Sequence, residues 1–317
     1  MQKIRICILL LICALFVSCA EKQVDAELIY LDEHQKETLY SVKKTDNPED
    51  VKKLFEILDQ TKINTSFNGV AMKLNTNVEG FIKIQGTELR TVDLRYTMDV
   101  SAKSNLRKYR FDGNILIDGY TKTNSDSLSF DTKYKLKGDI QNDDEFLYLI
   151  GNLDNGNTHL SIKNKLDITY ITENYKAMII SFIDVLKYYS LSSVLPNINE
   201  MIDCFKIIIV DTTKDSFTLR LTIPTEKIWE ELDLKENIEM DVKISCKHLL
   251  PTEITCSADQ LITGLLENEY VEKYLSSEVT VEKSKFSATL ALEYGYYTIQ
   301  ELTKEQKEEY KIYSIQG

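Results

Sequence analysis

The chain has 317 residues, of which 43% are hydrophobic and 28% charged, and it carries a formal net charge of −12. This composition supports a packed core and excludes a disordered chain, while 11 glycines and 4 prolines exclude collagen-like and low-complexity classes. The acidic balance repels phosphate backbones, so no nucleic-acid partner is expected.

Residues 1–18 read as an export signal. Lys3 and Arg5 form a basic start, and Ile6 to Val17 is an unbroken apolar run of twelve residues followed by the polar stretch from Glu21. That run is shorter than the roughly 20 residues a membrane-spanning helix needs, and it lacks amphipathic periodicity. Val17-Ser18-Cys19 then resembles the lipobox of bacterial lipoproteins, with Phe16 where that pattern usually has Leu. The resemblance implies that Cys19 is lipidated with fatty acyl chains such as palmitate and holds the protein on the extracytoplasmic face of the membrane. A plain secreted protein cut near Ser18 or Ala20 is the alternative.

Residues 19–46 are expected to be the anchor and a tether or extra segment, irregular with room for a short strand or two. Asn47-Pro48-Glu49-Asp50 opens a helix: Asn is a good N-cap, Pro suits the first turn and the acids favour the positive end of the dipole. Val51, Leu54, Phe55 and Leu58 then form one apolar face. From Ser66 to about Thr169 the period becomes two. Val92, Leu94, Tyr96, Met98 and Val100 alternate with polar residues, as do Leu128, Phe130, Thr132, Tyr134 and Leu136. Such alternation indicates a sheet with one wet face. Asn68-Gly69, Asp112-Gly113, Asp118-Gly119 and Asn155-Gly156 read as turns, which gives about seven strands here.

Tyr175, Met178, Ile179, Phe182, Ile183, Leu186 and Tyr189 recur at helical spacing, and a second short helix follows around Ile198–Phe205. Strands are expected at 206–212 and 216–223, then a helix at 225–232 carrying Trp229, then four further strands up to Glu293. Thr303-Lys304-Glu305-Gln306 is a capping box opening a polar tail helix over 303–317. No linker divides 47–302, so one domain of about eleven strands with inserted helices is expected.

The chemistry of known catalytic motifs is missing. His34, His159 and His248 are scattered, and HExxH, GxSxG, CxxC and a Gly-rich phosphate loop are all absent from the sequence. No enzyme, cofactor or metal site is therefore expected. Asn152 to Asn157 faintly resembles a calcium loop, but Lys163 stands where the bidentate Glu belongs. Asp143-Asp144-Glu145 reads as a solvated cluster. Cys246 and Cys256 flank a strand-to-strand turn. Either they form a disulfide under oxidising conditions, or they and Cys204 are small buried apolar residues.

An amphipathic helix, a long antiparallel meander, interrupting helices and a resumed sheet, with Leu249-Leu250-Pro251 at a turn, resemble the LolA/LolB and LppX-like lipoproteins. The resemblance implies an α+β fold: a large curved antiparallel sheet, an unclosed half-barrel, with a few amphipathic helices packed on its concave side. It further implies a monomeric envelope protein that binds or carries a lipid or similar hydrophobe in an apolar cleft. Ile179, Phe182, Leu186 and Trp229 are the candidate ligand-binding residues. The alternative is a structural or adhesive surface lipoprotein without a cavity.

Overall fold

In a computed structural model of the protein, the residues described are 33–41, 43–60, 67–86, 88–106, 108–169, 206–224, 237–247, 249–259, 263 and 278–313. The export signal, Cys19, Ile179, Phe182, Leu186, Cys204, Trp229 and His248 lie outside them, and so do the helices expected between 173 and 205 and at 225–232.

The first described element is a helix, α1 (Glu33–Ser41), where the sequence suggested irregular chain or a strand. It belongs to the fold rather than to a tether, because Leu39 is buried in the same cluster as Val51 and Leu54. The second helix, α2 (Pro48–Gln60), starts as expected: the Asn47 Oδ1 accepts from the Glu49 amide at 3.1 Å. Val51 and Leu54 are fully buried and Phe55 nearly so, which is the apolar stripe read from the sequence.

Twelve strands follow among the described residues. They are β1 (Gly69–Gln85), β2 (Leu89–Asn105), β3 (Arg110–Ser125), β4 (Ser129–Asn142), β5 (Phe146–Asp154), β6 (His159–Asp167), β7 (Lys206–Thr212), β8 (Ser216–Pro224), β9 (Asn237–Ser245), β10 (Pro251–Ser257), β11 (Glu278–Gly295) and β12 (Lys311–Tyr313). All belong to one unclosed sheet in the order β12-β6-β5-β4-β3-β2-β1-β11-β10-β9-β8-β7. Every pairing is antiparallel except that of β12 with β6. The sheet's two halves meet at β1 and β11, paired from Gly69/Gly295 to Gln85/Glu278 with a bulge at Phe81/Ile82. The described strands thus form one continuous sheet, which dominates the fold.

The described residues of 66–169 hold six strands rather than seven, because two of the expected turns are interior positions of one long strand. Asp112-Gly113 and Asp118-Gly119 both lie within β3. Asn155-Gly156 is the true hairpin turn between β5 and β6. Gly156 sits at φ 82, and Asn155 Oδ1 accepts from the amides of Asn157 and Thr158. Leu249-Leu250-Pro251 does lie at a strand-to-strand turn, with both leucines buried and Leu249 at φ 51.

The tail is also more than a helix. Thr303 makes the expected capping box for α3 (Lys304–Glu308), but β12 follows at once and pairs with β6 at Asn164–Leu166. Ahead of it, Tyr297 is tied to Asn68 and Asn105, and the Gln300 carbonyl to Gln141. Residues 296–313 thus form a strap running from β11 to β6.

Candidate functional site: the apolar face of the sheet

In an antiparallel ladder, residues directly opposite share a face, so the registers sort the side chains of the eleven antiparallel strands, β1 to β11. One face carries Ile207 and Ile209 (β7), Phe217 and Leu219 (β8), Met240 and Val242 (β9) and Ile254 (β10). It continues through Leu290 (β11), Leu74 (β1), Val100 (β2) and Ile115 (β3). Leu136 and Ile140 (β4), Leu149 and Leu153 (β5) and Leu160 and Ile162 (β6) complete it. The apolar surface is thus unbroken from β7 to β6.

The opposite face is polar and laced by cross-strand pairs. Arg220 makes a two-pronged contact with Asp241 at 2.7 and 2.8 Å, Lys135 reaches Asp118 at 3.1 Å and Asn75 reaches Asp99 at 2.7 Å. The period-two pattern of the sequence is what separates the two faces.

Cover over the apolar face changes along the sheet. At the β7–β9 end, α1 and α2 pack onto it and bury Ile209, Phe217 and Leu219. Across β10, β11, β1 and β2 it stays closed, with Ile254, Leu290, Met72 and Val100 all buried. Over β3–β6, Ile115, Leu136, Ile140, Leu149, Leu153 and Ile162 are only half-buried. Toward the hairpin tips it opens: Leu128 is 58%, Phe130 49% and Leu160 54% exposed.

The five strand-interior glycines Gly80, Gly113, Gly119, Gly138 and Gly151 all fall on this face. At Gly138 and Gly151 the adjacent backbones approach so closely that a Cβ on Gly138 would sit 2.7 Å from the Ile150 carbonyl oxygen. At Gly119 the Tyr96 ring occupies the place of a side chain.

A second feature is the polar recess of about 360 Å³ beneath the strap, lined by Arg110, Asp143, Phe146, Tyr148, Lys165 and Lys307. Its central charges pair with one another. The Asp143 carboxylate accepts from Tyr148 Oη at 2.7 Å and lies 2.7 Å from Lys307 Nζ, and Arg110 donates to Asp144 at 2.7 Å. Burial pushes the Asp143 carboxyl up, but hydrogen bonds from Lys307, the Phe146 amide, Tyr148 and the Glu145 amide outweigh that and hold it at about 2. The Tyr148 hydroxyl, buried beside this carboxylate, is pushed above its ordinary range. These residues fasten the strap to the sheet.

The disulfide alternative is corrected. Cys246 and Cys256 are both free: Cys256 stands opposite Met240, whereas Cys246 follows Ser245 at the other end of the same hairpin. Six residues of strand, about 20 Å, separate the two positions, beyond the roughly 7 Å between Cα atoms that a disulfide spans. Burial pushes both thiols up to about 11, so they are protonated and poorly nucleophilic at neutral pH. His159 is exposed and faces Asp154 at 3.1 Å. Among the described residues no group of His, Cys, Asp and Glu is arranged to hold a metal, and no helix is long and apolar enough to cross a membrane.

Sequence reasoning expected an apolar concave sheet but named its ligand residues on helices, which lie outside the described residues, and none on the strands. The signal was present in the alternating runs around Met98 and Tyr134. No protein-family model matches the chain, and no curated protein matches it.

Proposed function

We propose that this is an exported, lipid-anchored envelope protein that binds an acyl chain of a lipid or lipoprotein on the apolar face of its sheet. The observation that carries the reading is the continuity of that face across the eleven strands from β7 to β6, together with its half-buried to exposed stretch over β3–β6. An ordinary sheet edge does not leave leucines and a phenylalanine in water on one face while its other face carries nearly all the charge. The glycines support a curved, half-barrel shape with the apolar side concave. Curving a sheet brings backbones together on its inner face, where only glycine fits, and small residues among large ones suit a tapering interior. Anchoring rests on the lipobox-like Val17-Ser18-Cys19, since two or three acyl chains hold a protein at a membrane stably and one does so only marginally. Binding rather than catalysis is the role in keeping with these side chains.

The test uses residues 20–317 titrated with a fluorescent fatty acid. Saturable uptake is expected, and Leu136→Arg, a half-buried position on the open stretch, should weaken it about tenfold, some 1.4 kcal/mol, with little change in Tm. No saturable uptake by the unsubstituted chain would leave a structural surface lipoprotein as the better account.

A further inference from the structure

One hairpin of the sheet outruns the next. β4 pairs with β3 along its whole length out to Ser129, whereas β5 joins β4 only from Lys135 to Asn142. Ser129–Tyr134 therefore project past the β5–β6 hairpin with no strand beside them among the described residues, a bare edge of about 20 Å. Along it Phe130 is 49% and Tyr134 38% exposed.

The direction of the backbone groups follows from two turn bonds. The Ser125 amide donates to the Leu128 carbonyl at 2.7 Å, so even-numbered β4 residues bond inward to β3. The Asp143 amide donates to the Phe146 carbonyl at 2.9 Å, so odd-numbered ones face outward. Neither pairing contains a register shift, and inward and outward groups alternate in such a ladder. Ser129, Asp131 and Lys133 thus present their N–H and C=O groups outward, and no strand among the described residues receives them. Parts of the two outer edges of the sheet are covered instead. β12 pairs with β6, and Thr45 exchanges both bonds with Ile209 on β7. Bare edges that carry apolar side chains are the ones that recruit another strand.

We infer that the edge of β4 at Ser129–Tyr134 receives an extended segment of a partner protein as an added strand, in line with β5. The added strand would set every second side chain beside Phe130, Thr132 and Tyr134, extending the apolar face. The side chains between them would meet Asp131 and Lys133, so the fitting segment alternates apolar residues with a base and an acid. A second copy of this chain fits less well. Pairing two β4 edges about Thr132 matches Asp131 with Lys133, but it drives the partner's tip onto Lys135, which Asp154 already occupies. The inference is independent of acyl-chain binding.

The experiment is residue-resolved amide exchange on the full chain with the peptide acetyl-Val-Glu-Val-Lys-Val-amide at about 1 mM. The outward amides of Ser129, Asp131 and Lys133 should slow about tenfold, while those of Phe130 and Thr132, already bonded to β3, should not change. Lys133→Pro removes one outward donor and keeps the pairing with β3. Its circular dichroism should match the parent's, and the protection should vanish. Fast outward amides with peptide present, or protection that survives Lys133→Pro, would overturn the inference. Protection by phosphatidylcholine vesicles but not by peptide would overturn it too, assigning Leu128 and Phe130 to a membrane, and self-association that protects the same amides would assign the edge to a second copy.

Discussion

Gly113 and Gly156 show two different reasons for having no side chain. At Gly113 a Cβ would lie 2.5 Å from the Ala102 Cα and closer still to the Ser101 carbonyl oxygen, both of them backbone of the neighbouring strand. Gly113→Ala must push two strands apart and should cost about 1–3 kcal/mol, the usual range for overpacking, read as a fall in the urea midpoint at unchanged slope. Gly156 has open space around it but sits at φ 82, so Gly156→Ala should cost only about 1 kcal/mol, from backbone strain. Equal costs at the two sites would mean that the close approach at Gly113 is not real. Asp143 gives a residue-scale prediction of another kind. Its folded carboxyl titrates at about 2 against an unperturbed 3.8. A depressed carboxylate adds stability that is complete above the unfolded value and is lost as pH falls through the folded one. The window is therefore from about pH 4 down to about pH 2, and its full worth is about 2 kcal/mol. Asp143→Asn should lose that much at pH 7 and converge with the parent near pH 2, measured as the difference between their urea midpoints across pH. A difference that stays constant over this range would show that the carboxylate's charge is not what fastens the strap.

At the scale of elements, what could be read in the sequence depends on how many residues repeat a pattern. β2 declares itself because its even-numbered positions from Val92 to Ala102 are apolar or small and its odd ones polar. The helix α2 declares itself by Asn47 and by the spacing of Val51, Leu54 and Phe55. By contrast α1 offers one buried leucine, Leu39, in a mostly polar run, which leaves no periodicity to detect. β12 is three residues long and parallel, and its partner strand lies about 150 positions away, a relation that no local pattern encodes. The interior glycines misled for a physical reason: a glycine is equally at home in a turn and where two backbones touch. β12 is held less by its short ladder than by Tyr310, whose ring meets Tyr148 edge-on at 5.0 Å under the Lys163 ammonium at 5.1 Å. Tyr310→Ala should release it. The expected sign is faster amide exchange at Lys311–Tyr313 with unchanged protection in β2, and unchanged exchange in β12 would show that its ladder holds without the ring.

At the scale of the molecule, the pairing of β1 with β11 decides whether the protein behaves as one body. β1–β6 come from the first half of the described chain and β7–β11 from the second. Among the described residues, their only ladder in common is the seventeen-residue register between Gly69 and Gln85 on one side and Gly295 and Glu278 on the other. Leu290 lies in the middle of that seam, 2% exposed, packed with Met72, Val100 and Ile254 from strands of both halves. Truncating it leaves a cavity between the halves rather than inside either, so Leu290→Ala should cost about 2–5 kcal/mol. Because the loss falls on the shared ladder, amide protection in β3 and in β8 should fall together and by similar factors. Unfolding should remain a single transition, as expected of one cooperative unit. Conservation of β3 protection while that of β8 collapses would instead mean that β1–β6 stands as a folding unit by itself. The apolar face would then be assembled from two separable parts rather than laid down as one surface.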